Sequence, residues 1–171
     1  MFPVSIQYFF FAVVLMLSQV LVFNHIHILG YAIPMPFVYL VLMLHSSTSR
    51  WMYVLWGFIV GLVIDIFSNT LGENAAAMTF LGLIAPRLLD VFSPADRGDD
   101  GFIPSPHTMQ WGGYVRYATA ATLIFTTLFF LMESFSLFDV VRLCIHIASS
   151  SFLTLLIIFA IEHLRQNMAR V

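Results

Sequence analysis

Long apolar runs separated by short polar turns fill most of this chain. About 20 apolar residues in a helix cross a hydrocarbon core about 30 Å thick. The pattern therefore predicts an all-α integral membrane protein, a single transmembrane domain over 1–171 with six helices. The predicted spans are 6–23, 28–45, 51–67, 74–92, 114–132 and 141–163. The second span requires the helix to continue across Pro34 and Pro36, because 37–44 alone is too short to cross.

The third and fourth predicted helices form the segment that organises the chain. Gly57, Gly61 and Asp65 recur at four-residue spacing and therefore lie along one stripe of the third helix. Small residues on such a stripe let another helix approach closely in lipid. A polar turn ending near Gly72 follows, and then an alanine run opens the fourth helix. Its residues Ala75 and Ala76 are predicted to offer a second close-packing surface, toward a neighbouring helix or a partner.

The acidic residues are the candidates for polar function. A carboxylate inside an apolar segment is costly, so Asp65 should face protein or water and hydrogen-bond the turn over 68–72. Glu73, Glu133 and Asp139 fall near the same membrane face, where they either contact water or form a polar patch with Asp65. At the other end of the fourth helix, Arg87 and Asp90 are three residues apart, which predicts an interfacial ion pair.

Composition supports a location in lipid. The chain is 60% hydrophobic and 9% charged, with a mean hydropathy of +0.93, whereas a soluble domain is about a quarter charged. The net charge of −2 argues against a nucleic-acid partner. The long connection 93–113 contains prolines, glycines and acids, and we expect a flexible, solvated spacer there.

The arginines predict the orientation of the bundle. Six spans place both chain ends on one side, and the positive-inside rule assigns that side to the cytoplasm. On this face or its interface the prediction places Arg50, Arg87, Arg97, Arg116, Arg165 and Arg170. Arg142 alone falls near the opposite face.

Catalytic patterns are missing from the sequence. It contains no nucleophile elbow, no helix-borne zinc pattern and no phosphate-binding glycine loop. Asp65 and Asp90 are predicted at opposite membrane faces and therefore cannot form a catalytic dyad. The six histidines are scattered, and the single cysteine excludes an internal disulfide. We expect no catalytic residue, no cofactor and no metal.

The run over 57–72, with Gly57, Gly61, Asp65 and Gly72, followed by the alanines after Asn74, resembles the signature region of the MreD family of rod shape-determining membrane proteins. The resemblance implies a non-enzymatic protein of the bacterial inner membrane. It implies a role in the elongation machinery that builds lateral-wall peptidoglycan, with the bitopic protein MreC as partner. Indirect links to the actin-like MreB, to the glycosyltransferase RodA and to its transpeptidase partner also follow. Homo-oligomers are compatible with this picture.

The family fold is thought to be similar to the substrate-binding subunits of energy-coupling-factor transporters. The alternative function is therefore the substrate-binding membrane subunit of a small-molecule uptake transporter. A six-helix bundle can enclose a small-molecule pocket. Against the transporter alternative, the sequence shows no obvious inverted repeat and no pair of corresponding broken helices.

Overall fold

The computed structural model describes residues 3–23, 32–70, 72–93, 101–134 and 140–168. Within these ranges the chain is helical, with irregular connections. The helices are α1 (Pro3–Leu21), a 3₁₀ turn (Pro36–Val38), α2 (Tyr39–Leu42), α3 (Arg50–Ser68), α4 (Glu73–Phe92), α5 (Pro106–Glu133) and α6 (Val140–Met168). Helices α3, α4, α5 and α6 are each long and apolar enough to cross a membrane, and α1 contributes the shorter apolar segment Phe10–Leu21.

The four long helices pack in chain order, α3 against α4, α4 against α5 and α5 against α6, and α1 contacts α3. Between their ends, α3 and α6 expose many large apolar side chains, as expected of surfaces that face lipid. The observed bounds of α3, α4 and α6 confirm the predicted helices over 51–67, 74–92 and 141–163, apart from a few residues at their ends. The predicted helix over 6–23 corresponds to α1.

The second predicted helix, over 28–45, is wrong for residues 32–35, which are not helical; residues 28–31 lie outside the described ranges. Two prolines in three residues explain the break, because each lacks an N–H group and disfavours a helical conformation in the residue before it. Helical structure is confined to the 3₁₀ turn and the single turn of α2. We call residues 32–43 the core segment; they are buried almost without interruption.

Side chains of α1 and α6 hydrogen-bond the irregular backbone of the core segment. The N–H of Ile33 donates to Ser150 Oγ and the N–H of Met35 donates to Thr154 Oγ1, each over 3.0 Å. Gln19 Nε2 donates to the carbonyl of Pro34 over 3.3 Å. Non-helical backbone is tolerated at membrane depth only where protein or water satisfies its polar groups, and here protein does so.

The connection before α5 also differs from the prediction. We expected a solvated spacer over 93–113 and a fifth helix from 114, but α5 begins at Pro106 with Ser105 as its N-cap. Ser105 Oγ accepts from the N–H of Thr108, and Thr108 Oγ1 accepts from the N–H of Ser105, which is a reciprocal capping box. Within α5, Gln110 has non-helical angles (φ 60°, ψ 153°) and marks a kink.

The residues just before α5 are fixed to the turn that precedes α3. The N–H of Phe102 donates to Ser46 Oγ and the N–H of Ser46 donates to the carbonyl of Phe102, both over 2.8 Å. Gly101 fits closely here, since a Cβ added to it would lie 2.7 Å from Ser47 Cβ. The described part of this connection is therefore an ordered element of the fold, and residues 94–100 lie outside the described ranges.

Candidate functional site

The glycine stripe is a close-packed contact between α3 and α4. A Cβ added to Gly61 would lie 2.5 Å from Ala75 Cα, and a Cβ added to Gly57 would overlap the backbone of Met78. A Cβ added to Gly82 of α4 would likewise overlap the backbone of Tyr53 in the first turn of α3. The two backbones therefore run antiparallel in contact at three levels. The predicted packing surface is real, and it is used inside the bundle.

Asp65 closes this hairpin at one end of the bundle. Its side chain is only 3% exposed, and Asp65 Oδ2 accepts a hydrogen bond from the N–H of Ala75 over 2.7 Å. Asp65 Oδ1 accepts from the N–H of Asn74 (3.1 Å), from Asn74 Nδ2 (2.9 Å) and from the hydroxyl of Thr70. The N-cap position of α4 is Gly72, which has no side chain to cap the helix. Asp65 supplies that cap from the preceding helix.

The turn between the helices depends on two residues with positive φ. Asn69 ends α3 in the left-handed conformation (φ 54°), and Gly72 precedes α4 at φ 90°. Asparagine and glycine are the residues that adopt such angles most readily. The predicted bonding of Asp65 to the turn is confirmed at Thr70 and extends into the first turn of α4.

Three of the predicted candidate residues, Ala76, Arg87 and Asp90, are not part of this contact. Ala75 lies in it, but Ala76 is exposed on the opposite side of α4. Arg87 and Asp90 are both exposed on α4, and their ion pair stays a prediction. Solvent-exposed charges three residues apart gain little by pairing.

Two further acids of the predicted patch, Glu73 and Glu133, are described by the structure and are not buried beside Asp65. Glu73 occupies the first position of α4 and is partly exposed, while Glu133 ends α5 on the surface. Asp139 lies outside the described residues. In the described part of the chain, no group of three histidine, cysteine or acidic side chains is arranged to hold a metal ion.

A second polar centre, at Glu162 near the end of α6, was not predicted from the sequence. The Glu162 side chain is 1% exposed, and Oε2 accepts from the hydroxyl of Tyr39 over 2.5 Å. Oε1 accepts from the Arg165 guanidinium over 2.9 Å and from Gln166 Nε2 over 3.1 Å. In the sequence, Arg165 and Gln166 follow Glu162 by three and four residues, a spacing that could have predicted these two hydrogen bonds on one face of the helix. Its link to Tyr39 depends on the fold.

A pocket of about 570 Å³ adjoins Glu162. Its walls come from the turn before α3, from the residues that lead into α5 and from the last turns of α6. The lining residues are His45, Gly101, Phe102, Ile103, Ser105, His107, Thr108, Glu162, Arg165 and Gln166. The pocket lies at the end of the bundle where α3 begins, whereas Asp65 lies where α3 ends, about 22 Å away along the helix axis.

Comparison of the chain with protein-family models, with curated proteins and with solved structures finds no match.

Proposed function

We propose that this protein is a non-catalytic membrane scaffold of the bacterial cell-elongation complex, of the MreD type, which binds an MreC-like bitopic partner in the inner membrane. The observation that carries the proposal is the Asp65 cap on the close-packed hairpin. The residues on which the resemblance depends, Gly57, Gly61, Asp65 and Gly72, all act in that one structural unit. Together they form a close-packed pair of helices.

The internal use of the glycine stripe restricts where a partner binds. Gly57 and Gly61 already contact α4, so a partner helix must meet another surface. Ala76 remains the candidate, together with Phe80 and Leu83, which follow it on the exposed side of α4. A small residue beside larger apolar ones on one helix face allows another helix to approach closely in lipid.

The positions of the described arginines support the proposed orientation, with both chain ends in the cytoplasm. Arg50 at the start of α3 and Arg165 near the end of α6 belong to the same end of the bundle as the pocket. Arg142, near the start of α6, belongs to the other end. The positive-inside rule then assigns the pocket end to the cytoplasm and the Asp65 end to the periplasm.

The experiment is co-purification of an affinity-tagged chain with an MreC-like protein, in cells whose shape is scored by microscopy. Ala76→Trp should reduce partner recovery by about tenfold and give rounded cells, because the indole fills the space that a partner helix needs. Ala148→Trp is the matched control, since Ala148 is an exposed alanine of α6. It should leave partner recovery and cell shape unchanged.

Equal partner recovery from the Ala76→Trp and Ala148→Trp variants would show that Ala76 is not part of the interface. Absence of any wall-synthesis protein from the wild-type eluate, in cells that grow as normal rods without the chain, would refute the scaffold proposal itself. Tagging the chain at either end and repeating the purification controls for obstruction by the tag.

The pocket beside Glu162 favours the alternative function, a substrate-binding subunit of an uptake transporter, because its volume is typical of a small-molecule site. The proposed orientation argues against uptake, since the pocket then opens to the cytoplasm. Thermal unfolding with a panel of vitamins and ions separates the two functions. A saturable rise in the unfolding midpoint together with co-purification of an ATPase pair would favour the transporter.

A further inference from the structure

We propose that the pocket beside Glu162 binds the phosphate-bearing headgroup of a membrane phospholipid. The inference stands on the pocket itself and does not depend on the scaffold proposal. Three segments distant in sequence converge there, the turn at His45, the residues 101–108 and the end of α6. Their side chains combine one guanidinium, two imidazoles, one amide and two hydroxyl groups around a single space.

Arg165 balances the charge of Glu162, and the hydrogen-bond donors of the lining favour an acceptor-rich group. Glu162 is the acid of the lining, and its oxygens already accept hydrogen bonds from Tyr39, Arg165 and Gln166. Arg165 uses one nitrogen for Glu162, whereas a guanidinium carries five N–H donors. His45 and His107 are exposed and can add donors. A phosphate group, which accepts several hydrogen bonds and pairs well with arginine, matches this set of donors.

The depth of the pocket favours a lipid as the source of the phosphate. The long apolar run of α6 ends near Ile161, and the polar residues that follow include Arg165 and Gln166, which places them near the level where headgroups meet water. The same pocket has an apolar wall, formed by Phe102 and Ile103. A volume of about 570 Å³ is far larger than one phosphate ion and accommodates an organic headgroup with its glycerol.

The walls are held in place without a ligand. Phe102 is hydrogen-bonded to Ser46 through both its N–H and its carbonyl, and the capping box fixes Ser105 and Thr108. Glu162 fixes Arg165 from the other side. A pocket that is preorganised in this way loses little entropy when a ligand binds.

The test uses the full-length chain in a mild non-ionic detergent, with native mass spectrometry to count bound molecules and thermal unfolding to follow stability. The probes are dihexanoylphosphatidylglycerol, dihexanoylglycerol without the phosphate, and soluble glycerol 3-phosphate. We expect one saturable site for the phospholipid and at least tenfold weaker binding of dihexanoylglycerol. Glycerol 3-phosphate binding as tightly as the phospholipid would support the phosphate site and identify a soluble source instead.

Arg165→Gln should weaken phospholipid binding by about tenfold, equivalent to about 1.4 kcal/mol. Because this change leaves Glu162 with fewer partners, His107→Gln, at an exposed position, provides a second variant that keeps the internal network intact. It should weaken binding about threefold with an unchanged unfolding midpoint in the absence of lipid. Arg50→Gln is the control, since Arg50 is an exposed arginine at the same end of the bundle and outside the lining.

Three outcomes would overturn the proposal. They are equal binding of the phospholipid and dihexanoylglycerol, equal loss of affinity in Arg165→Gln and Arg50→Gln, and unchanged phospholipid affinity in both pocket variants. The first would indicate contact with acyl chains alone, and the second a general surface charge effect.

Discussion

At the scale of single residues, Asp65 illustrates why an acid is retained inside an apolar helix. A carboxylate removed from water is costly unless hydrogen bonds replace its hydration. Asp65 receives four such bonds, two of them from backbone N–H groups at the start of α4. Those N–H groups have no partner within their own helix. The two hydrogen bonds therefore satisfy the backbone donors of α4 and the buried carboxylate at the same time.

Asp65→Asn should lower the free energy of unfolding by about 2 kcal/mol, because an amide presents one acceptor oxygen where the carboxylate presents two. Titration of the detergent-solubilised protein with SDS measures this change. Glu73→Gln removes the same charge from the partly exposed first turn of α4 and should change the free energy of unfolding by less than about 1 kcal/mol. Similar losses in both variants would contradict the capping role of Asp65.

Glu162 follows the same principle with different donors. Its oxygens are satisfied by side chains, including the Tyr39 hydroxyl from the core segment. The guanidinium of Arg165 also lies 6.0 Å from the centre of the Tyr39 ring, where a cation and an aromatic face attract. Asp65 therefore links α3 to α4 at one end of the bundle, and Glu162 links α6 to the core segment at the other end.

At the scale of elements, the α3–α4 hairpin shows how glycine determines helix distance. At each glycine of the contact, the backbone of the other helix occupies the space that a side chain would fill. This close approach increases the dispersion attraction between the helices, which matters in lipid because no hydrophobic effect drives their association there. The polar turn adds Gly72, whose φ of 90° an L-residue with a side chain adopts only under strain. The hairpin is therefore specified by short-range sequence.

Gly61→Ala should destabilise the protein by about 2 kcal/mol, because the added methyl group forces two backbones apart. Gly112→Ala is the matched control, since a Cβ there meets no atom within 4 Å. It should be neutral or stabilising by up to about 1 kcal/mol, through the lower entropy of the unfolded chain. Equal unfolding midpoints for Gly61→Ala and the wild type would show that the helices are not in contact at this level.

At the scale of the whole molecule, the core segment joins helices that are far apart in sequence. Its backbone bonds to α1 through Gln19 and to α6 through Ser150 and Thr154. Its side chains fill the centre of the bundle, where Phe37 packs edge-to-face against Phe125 of α5 at 5.3 Å between ring centres. The irregular segment is thus the part that the surrounding helices enclose.

Thr154→Val should destabilise the protein by about 1–3 kcal/mol, since the N–H of Met35 then remains buried without a partner. Thr154→Ser should restore most of the loss, because it keeps the hydroxyl. Ser149→Ala is a control on the same helix, as Ser149 Oγ donates to the carbonyl of Ile145 in its own helix. Hydrogen exchange at the Met35 amide, measured by mass spectrometry, should increase in Thr154→Val alone.

The differences between prediction and structure have two physical origins, a local helix cap that was overlooked and contacts between residues far apart in sequence. Helices α3, α4 and α6 follow from runs of apolar residues bounded by polar turns, which are local signals. The start of α5 was predicted too late, because the polar residues before Tyr114 suggested a loop, whereas Ser105 and Thr108 form a cap. Pro34 and Pro36 were a local signal for the break in the second helix. They did not indicate which side chains would hydrogen-bond the backbone groups left without helical partners.

The sequence by itself determined the all-helical, membrane-type class, the glycine packing stripe of α3 and the bonding of Asp65 to the turn that follows it, because each depends on residues close together in sequence. Only the tertiary structure decided that residues 32–43 form the buried centre and that Ala76 faces outward. It also decided that Tyr39, Arg165 and Gln166 meet at Glu162 beside a pocket. The contacts of the core segment with α6, including that of Tyr39 with Glu162, join residues more than 100 positions apart. Helical periodicity carries no information about such distant contacts.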